Sequence, residues 1–490
     1  MKRIFVALAF VVVAAATHFA QSAQNVPRFD RGSCPVAIPD GVTAECGNLS
    51  VLENRDKAKS RVIALPIIII KSSSQAPRPD PVVYTAGGPG ASSLGRVRGA
   101  KGLEPFTRDR DFIIFEQRGT NSTGPNMACP EVNEAHHRSA AEDLNTAAAL
   151  TTEIAAVKTC RDRLINEGYD LASYNSQASA ADLEDLRRSL AIEKWNLYGI
   201  SYSTRLMLTY IRMFPDGVRS VILDSVLPPT ANYDETSVDS VEASLNKIFA
   251  ACEADADCRT KYPKLKQTFL ALVKSADKDP FVINATQNGK TVPIKLRGAN
   301  MVDYIYELLE STEALPDIPF VIDKLATRDF ADLNYFRRTA EGKLTSTGFV
   351  WGMRYSVWCR EEMPFQDTKT IRGQLSERRG FGGFGIQTSF PEICKAWNTP
   401  PAAKVEDHPV RSDIPALIFA GEYDPDTPPS WGKMVADGFP NSHFYEVKNT
   451  THGVLFSNRC AVTEIVPSFL NDPAKQPNDK CLSDEKMKFR

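Results

Sequence analysis

The sequence has little of what metal or nucleic-acid chemistry requires. Its six histidines form no HExxH, and its cysteines form no paired CxxC, so zinc-site spacing is absent. Lysine plus arginine number 58 against 60 acids, a formal net charge of −2. That balance offers no basic footprint for nucleic acid and no polybasic patch for a membrane surface. Past the N-terminal segment no apolar run approaches the roughly 20 residues that span a bilayer. No internal repeat marks a solenoid. These absences point to a chain without metal, cofactor or nucleic-acid partner, and no feature speaks to its oligomeric state.

What is present begins at the N-terminus. Lys2 and Arg3 precede an apolar run from Ile4 to Ala16, and small residues Ala20, Ser22 and Ala23 follow. This is the pattern of a signal peptide over residues 1–23, and it places the mature chain in a secreted or periplasmic setting. The run is too short for a membrane anchor and breaks at Thr17 and His18. The ten cysteines are an even number, as disulfides in an oxidising compartment require. Taken as chain neighbours they pair Cys34–Cys46, Cys129–Cys160, Cys252–Cys258, Cys359–Cys394 and Cys460–Cys481, although spacing alone leaves other connectivities open.

At 490 residues the chain exceeds one compact domain. Short apolar runs at Ile67 to Ile70, Val82 to Thr85, Phe112 to Phe115, Trp195 to Tyr198, Val221 to Leu223, Ala416 to Ala420 and His443 to Val447 read as strands. Most are apolar on both faces, as buried parallel strands are. Helical spacing appears at Ala180 to Leu190 and Thr204 to Met213. Strands alternating with helices imply an α/β fold with a mostly parallel sheet flanked by helices. Between 231 and 410 the helical period dominates (Val241 to Ala251, Leu265 to Val273, Val302 to Leu309), so this stretch reads as a mainly helical insertion. It separates a core of residues 24–230 from a second core part at 411–490. Gly380 to Gly385 reads as a surface loop, and the polar stretch from Asn471 to Arg490 as loose apart from Cys481.

Four motifs carry chemistry. Gly199-Ile200-Ser201-Tyr202-Ser203 lies between a strand and a helix, the context of a nucleophile elbow, with Ser203 standing where glycine is usual. Gly87-Gly88-Pro89-Gly90 follows an earlier strand. There glycines let backbone N–H groups approach a developing oxyanion, so Gly88 and Tyr202 are the candidate donors. Gly421 to Pro428 follows a later strand and offers Asp424, with Asp426 as competitor and Glu422 as a poorer one. Thr451-His452-Gly453 follows the last strand, and His452 alone among the histidines sits in a loop after the acid. The order nucleophile, acid, histidine is that of the α/β-hydrolase fold. Ser201, Asp424 and His452 then form a catalytic triad in which the histidine takes the serine proton and the aspartate orients the histidine.

These motifs, together with Glu116-Gln117-Arg118-Gly119-Thr120, Asp182-Leu183, Arg187 and the run Val218 to Asp224, resemble the prolyl iminopeptidase and tripeptidyl aminopeptidase family of serine peptidases. Ala86 before the double glycine, the early cysteine pair and the Cys359 and Cys394 pair look more like its tripeptidyl branch. The resemblance implies an α/β-hydrolase core with the 231–410 insertion as a cap. It also implies carboxylates that capture a substrate's free amine, for which Glu361 and Glu362 are the candidates. The expected activity is a secreted serine aminopeptidase that releases short, tripeptide-like N-terminal units from peptides through an acyl-enzyme. An esterase or lactonase on the same triad is the alternative, since one fold hosts many acyl transfers.

Overall fold

Runs such as Val82-Val83-Tyr84-Thr85 and Phe112-Ile113-Ile114-Phe115 have no polar face to give to water, so they are stable as strands only when covered on both sides. The computed structural model describes residues 26–57, 59–287, 289–329, 349–375, 381, 390–482 and 486–490. It places these runs inside a nine-stranded sheet. In chain order the strands are β1 (Arg28–Arg31), β2 (Ala44–Leu52), β3 (Val62–Ile70), β4 (Val82–Thr85), β5 (Phe112–Phe115), β6 (Trp195–Ser201) and β7 (Val218–Val226). A hairpin of β8 (Phe281–Gln287) and β9 (Lys290–Leu296) stands apart. The sheet then resumes with β10 (Ala416–Gly421) and β11 (Ser442–Val447).

The spatial order is β1-β2-β3-β5-β4-β6-β7-β10-β11. The first three pairings are antiparallel. From β5 through β11 all neighbours are parallel, so the fold is an α/β-hydrolase sheet, mostly parallel and flanked by helices. The chain leaves β4 for β5 on one side and comes back for β6 on the other. At such a switch point the C-terminal strand ends open onto a crevice where ligands bind. Successive residues serve opposite faces: Ile67 and Ile69 pack with Val83, Leu197 and Ile418, while Ile68 and Ile70 pack with Tyr84, Tyr198 and Phe419.

The segment between β7 and β10 supplies most of a third apolar cluster, which includes Phe269, Ile305, Trp351, Trp358 and Trp397 and is continuous with Met127, Cys160, Tyr174, Tyr202 and Trp431 outside it. Its helices include Tyr233–Ala254, Leu265–Lys278, Gly298–Leu309, Ile318–Ala326, Trp351–Glu361 and Pro391–Trp397. The β8–β9 hairpin is an addition to the helical pattern, turning at Gly289 with φ +75°. All five neighbouring cysteine pairs are bonded. The C-terminal stretch is less loose than its polarity suggests. Met487 is buried, the Arg490 guanidinium lies 3.9 Å over the Phe320 ring, and Arg490 N–H donates to Pro316 O at 3.2 Å. Met487 and Phe489 pack with the helical segment, and Leu482 packs against the sheet. Residues 1–23, and Gly380 to Gly385 apart from Phe381, lie outside the described residues. No described helix is long and apolar enough to cross a membrane.

Candidate active site

Ser201 ends β6 and opens the helix Tyr202–Met213. Its backbone sits at φ 57° and ψ −133°, a conformation that costs a non-glycine residue strain and persists only where the surroundings impose it. The turn leaves no space around it. A Cβ on Gly199 would lie 2.6 Å from Ser203 O, and one on Gly87 would lie 2.7 Å from Ser201 Cβ and 3.2 Å from its Oγ. The elbow and the Gly87-Gly88 loop are therefore in contact, and both need glycine there. Ser203, at the position where glycine is usual, is fully buried. Its hydroxyl accepts the Ile200 N–H at 2.7 Å and lies 2.8 Å from the carbonyls of Thr85 and Ile200. The extra side chain stitches the elbow to the end of β4.

Tyr202 presents its N–H at the first turn of this helix, and its buried hydroxyl meets Ser176 Oγ at 2.8 Å. Gly88, at φ +111°, follows the glycine that touches Ser201. Both candidate donors thus flank the serine.

The loop after β10 offers three acids, and the structure separates them. Asp424 is buried and both its oxygens face His452 Nδ1, at 3.1 and 3.0 Å. It also accepts from Thr427 N at 2.8 Å, Thr427 Oγ1 at 2.7 Å and Asp426 N at 2.9 Å. Burial pushes its carboxyl up, but the imidazole and the Thr427 donors outweigh this and hold it below the usual carboxylate range. Asp426 instead accepts the hydroxyls of Tyr306 at 2.6 Å and Tyr233 at 3.0 Å. Glu422 braces the loop through Lys448 Nζ at 3.3 Å and Asn449 N at 3.1 Å.

His452 sits in a loop bolted to the neighbouring strand end. Gly453 N donates to Ser225 Oγ at 2.8 Å, and the buried Asp224 carboxylate accepts both Val454 and Leu455 N–H at 2.9 Å. Asp224 pairs with Ile200 across β6 and β7, so the histidine loop is fixed one strand away from the serine. Burial pushes the Asp224 carboxyl up to about 6 against the pull of those N–H groups. For His452, burial favours the neutral ring. The facing Asp424 charge and hydrogen bond, with Asp426 and Glu310 behind, overcome this and raise it to about 10.

Glu310 is the residue that sequence reasoning missed. It follows the helix Gly298–Leu309, whose end abuts the histidine loop: Thr451 Oγ1 donates to Leu309 O, and Thr451 N to Thr312 Oγ1 at 3.3 Å. The Glu310 side chain reaches solvent from within surrounding protein. Its carboxyl is pushed well above the usual range, first by that burial and then by the charge of Asp426 and a hydrogen bond to it. Two carboxyls thus share one place beside His452, an arrangement that disfavours the charged form of Glu310. No local signal marks this pair, since its members lie on distant parts of the chain.

The expectation for Glu361 and Glu362 is corrected. Both are buried, at 2% and 3% exposure. Glu361 accepts from Ser176 N at 2.6 Å and Ser176 Oγ at 2.5 Å, and lies 3.6 Å from Arg205 Nε. Glu362 is ion-paired to the same guanidinium. Their charges are already answered by Arg205 on the elbow helix. They fasten the Trp351–Glu361 helix to the core and leave no open carboxylate for an amine. Among the described residues the only metal-like cluster is Cys129, Glu131 and Cys160, and both of its sulfurs are consumed by a disulfide.

Comparison with known proteins agrees with this geometry. Residues 80–260 match the family described as alpha/beta hydrolase fold, and residues 384–481 match the family described as TAP-like protein. The serine protease Hip1 of Mycobacterium tuberculosis is 24% identical over 479 residues, covering 92% of this chain and 89% of its own. The tripeptidyl aminopeptidase of Streptomyces lividans is 29% identical over 198 residues, 38% of this chain and 36% of its own. A putative hydrolase of Escherichia coli, YuaR, is 20% identical across 89% of this chain and 87% of its own. The chain is an α/β-hydrolase-fold protein with a TAP-like C-terminal part, and it fits the serine peptidases of the tripeptidyl branch.

Proposed function

We propose that this protein is an exported aminopeptidase that removes short N-terminal units from peptides through an acyl-enzyme on Ser201. His452 takes the Ser201 proton as the hydroxyl attacks the scissile carbonyl, and Asp424 holds the ring in the tautomer that can accept it. The Gly88 and Tyr202 N–H groups receive the oxyanion. His452 returns the proton to the leaving amine, and water then releases the acyl unit by the reverse sequence. In this reading residues 231–410 form a cap over the crevice, between core parts 24–230 and 411–490. Five disulfides and the N-terminal apolar segment support export to a secreted or periplasmic location.

The observation that carries the exopeptidase reading is the Glu310–Asp426 pair beside His452. A shared, partly desolvated acid pair gains most from a cation placed between its members, and the α-ammonium of a peptide supplies one. The name of the Streptomyces relative suggests a tripeptide as the released unit. The test is a panel of a tripeptidyl amide reporter, the same reporter with a blocked amine, a single-proline amide and a simple acyl ester. Cleavage of the free-amine tripeptide, loss of cleavage on blocking, and loss in Ser201→Ala are expected. Ester cleavage alone would replace the peptidase by an esterase while keeping Ser201 as nucleophile.

A further inference from the structure

The loop Gly87-Gly88-Pro89-Gly90 comes close to Ser201 because it is rich in glycine, and for the same reason it does not hold its own shape. On the core side the residue before it, Ala86, is fixed. Ser93 Oγ accepts Ala86 N–H at 2.9 Å, and Gln117 Nε2 donates to Ala86 O at 2.7 Å. Further along, the contacts come from the segment that begins at Val350. Val350 N–H donates to Gly90 O at 3.2 Å, and a Cβ on Gly90 would lie 2.7 Å from Val350 O. One turn on, in the helix Trp351–Glu361, Arg354 donates a guanidinium N–H to Gly88 O.

Arg354 is placed for this contact with care for its charge. It is 6% exposed and its guanidinium carbon stands 3.9 Å over the Trp358 ring. Trp358 Nε1 in turn donates to Asp234 Oδ2 at 2.8 Å. The charged and phenolic groups that act on Arg354 are Tyr233, Asp234, Asp426 and Tyr306, contributed by two other cap helices and the acid loop. Two carboxylates therefore balance a buried cation whose donor points at the oxyanion loop.

We infer that Arg354 is a positioning residue for the oxyanion-binding peptide of Gly88, an inference that rests on the Ser201 reading above. Gly88 sits at φ +111° without a Cβ to fix it, so its flanking peptide planes can rotate at small steric cost. The charge-assisted bond to Gly88 O selects one orientation of the peptide on its far side. The Gly88 N–H belongs to the preceding peptide, so with Ala86 fixed on the core side the glycine pair that touches Ser201 is held from both ends. A donor aimed in advance needs no reorganisation when the oxyanion forms. Since Arg354 belongs to the cap, seating of the cap and arming of the oxyanion hole become one event.

The experiment compares Arg354→Met and Arg354→Lys with the wild type on the free-amine tripeptidyl amide, with a peptidyl trifluoromethyl ketone as the transition-state mimic. For Arg354→Met, kcat should fall about tenfold to a hundredfold, less than the ~10²–10³-fold that follows outright loss of an oxyanion donor. KM should stay within about threefold, and the inhibition constant of the ketone should weaken by the same factor as kcat. Arg354→Lys should recover part of both. An unchanged kcat and ketone affinity, or a loss expressed only in KM, would overturn the inference. If Arg354→Met does not accumulate as folded protein, Arg354→Lys and Arg354→Gln are judged by the same proportionality between kcat and ketone affinity. Ser201→Ala separates the two layers. Retained turnover in that variant removes the nucleophile assignment itself. A dead Ser201→Ala with Arg354 variants that behave as wild type removes only the role of Arg354.

Discussion

Two pairs of acids lie in and around the cap, and they differ in what answers their charge. Glu361 and Glu362 adjoin in sequence, are buried, and share the Arg205 guanidinium. Glu310 and Asp426 are far apart in sequence and meet beside His452, where the phenols of Tyr233 and Tyr306 donate to Asp426. The first pair is closed by its own counter-ion and spends its charge on docking a helix. The second is held by hydroxyl donors, is acted on by the Arg354 guanidinium, and has one member that reaches solvent. Adjacency in sequence is thus a poor guide to which carboxylates can receive a substrate; solvent access beside His452 is a better one.

The comparison can be broken most forcefully at Arg205. Arg205→Met leaves two buried carboxylates without their partner, and removing one member of a buried ion pair costs about 3–5 kcal/mol. A large drop in the denaturant midpoint is expected, and an unchanged midpoint would show that Glu361 and Glu362 are not held as described. The second test falls on the open pair. Glu310→Gln should lower kcat/KM for the free-amine tripeptide about tenfold to a hundredfold, as expected for ~1.5–3 kcal/mol in a hydrogen bond to a charged group. Cleavage of a simple acyl ester reporter without an amine and the unfolding midpoint should change little. Equal losses on both reporters would deny the pair its amine.

The smallest effect sharpens the comparison through pH. His452 acts as a base only when deprotonated, so charges that raise its pKa move the acid limb of kcat/KM to higher pH. Asp426 is one of those charges. Asp426→Asn should therefore shift that limb to lower pH, read on an amine-blocked acyl ester so that no substrate amine titrates. A shift upward, or none, would show that Asp426 does not act on the ring.

Much of the core was legible because buried parallel strands are continuous apolar runs that end in glycine or a short polar loop. β4, β5, β6 and β10 all have this form, and Ser201, Asp424 and His452 follow from the loops behind such strands. The short histidine inventory made His452 stand out. The Glu310–Asp426 pair was not legible. Glu310 ends a helix whose sequence speaks only of its apolar face, and its partner comes from a loop beyond the whole cap. Glu361-Glu362 drew attention as a doublet, while Arg205 sat unremarked in the elbow helix. The β8–β9 hairpin did leave a signal, an Asn-Gly pair between alternating runs, which the surrounding helical period obscured.

The strained turn at Ser201 has a consequence for how this protein can change. A residue at φ 57° and ψ −133° is held against its own preference by close contacts with Gly87 and by the packing around Gly199. Relaxation is available by the loss of one side chain, and that side chain is the proposed nucleophile. Selection for thermal robustness and selection for turnover therefore pull in opposite directions at this one position. Lineages that abandon catalysis gain stability at no other cost here, so a glycine in place of Ser201 in a related chain is the mark to expect of a fold kept for binding alone.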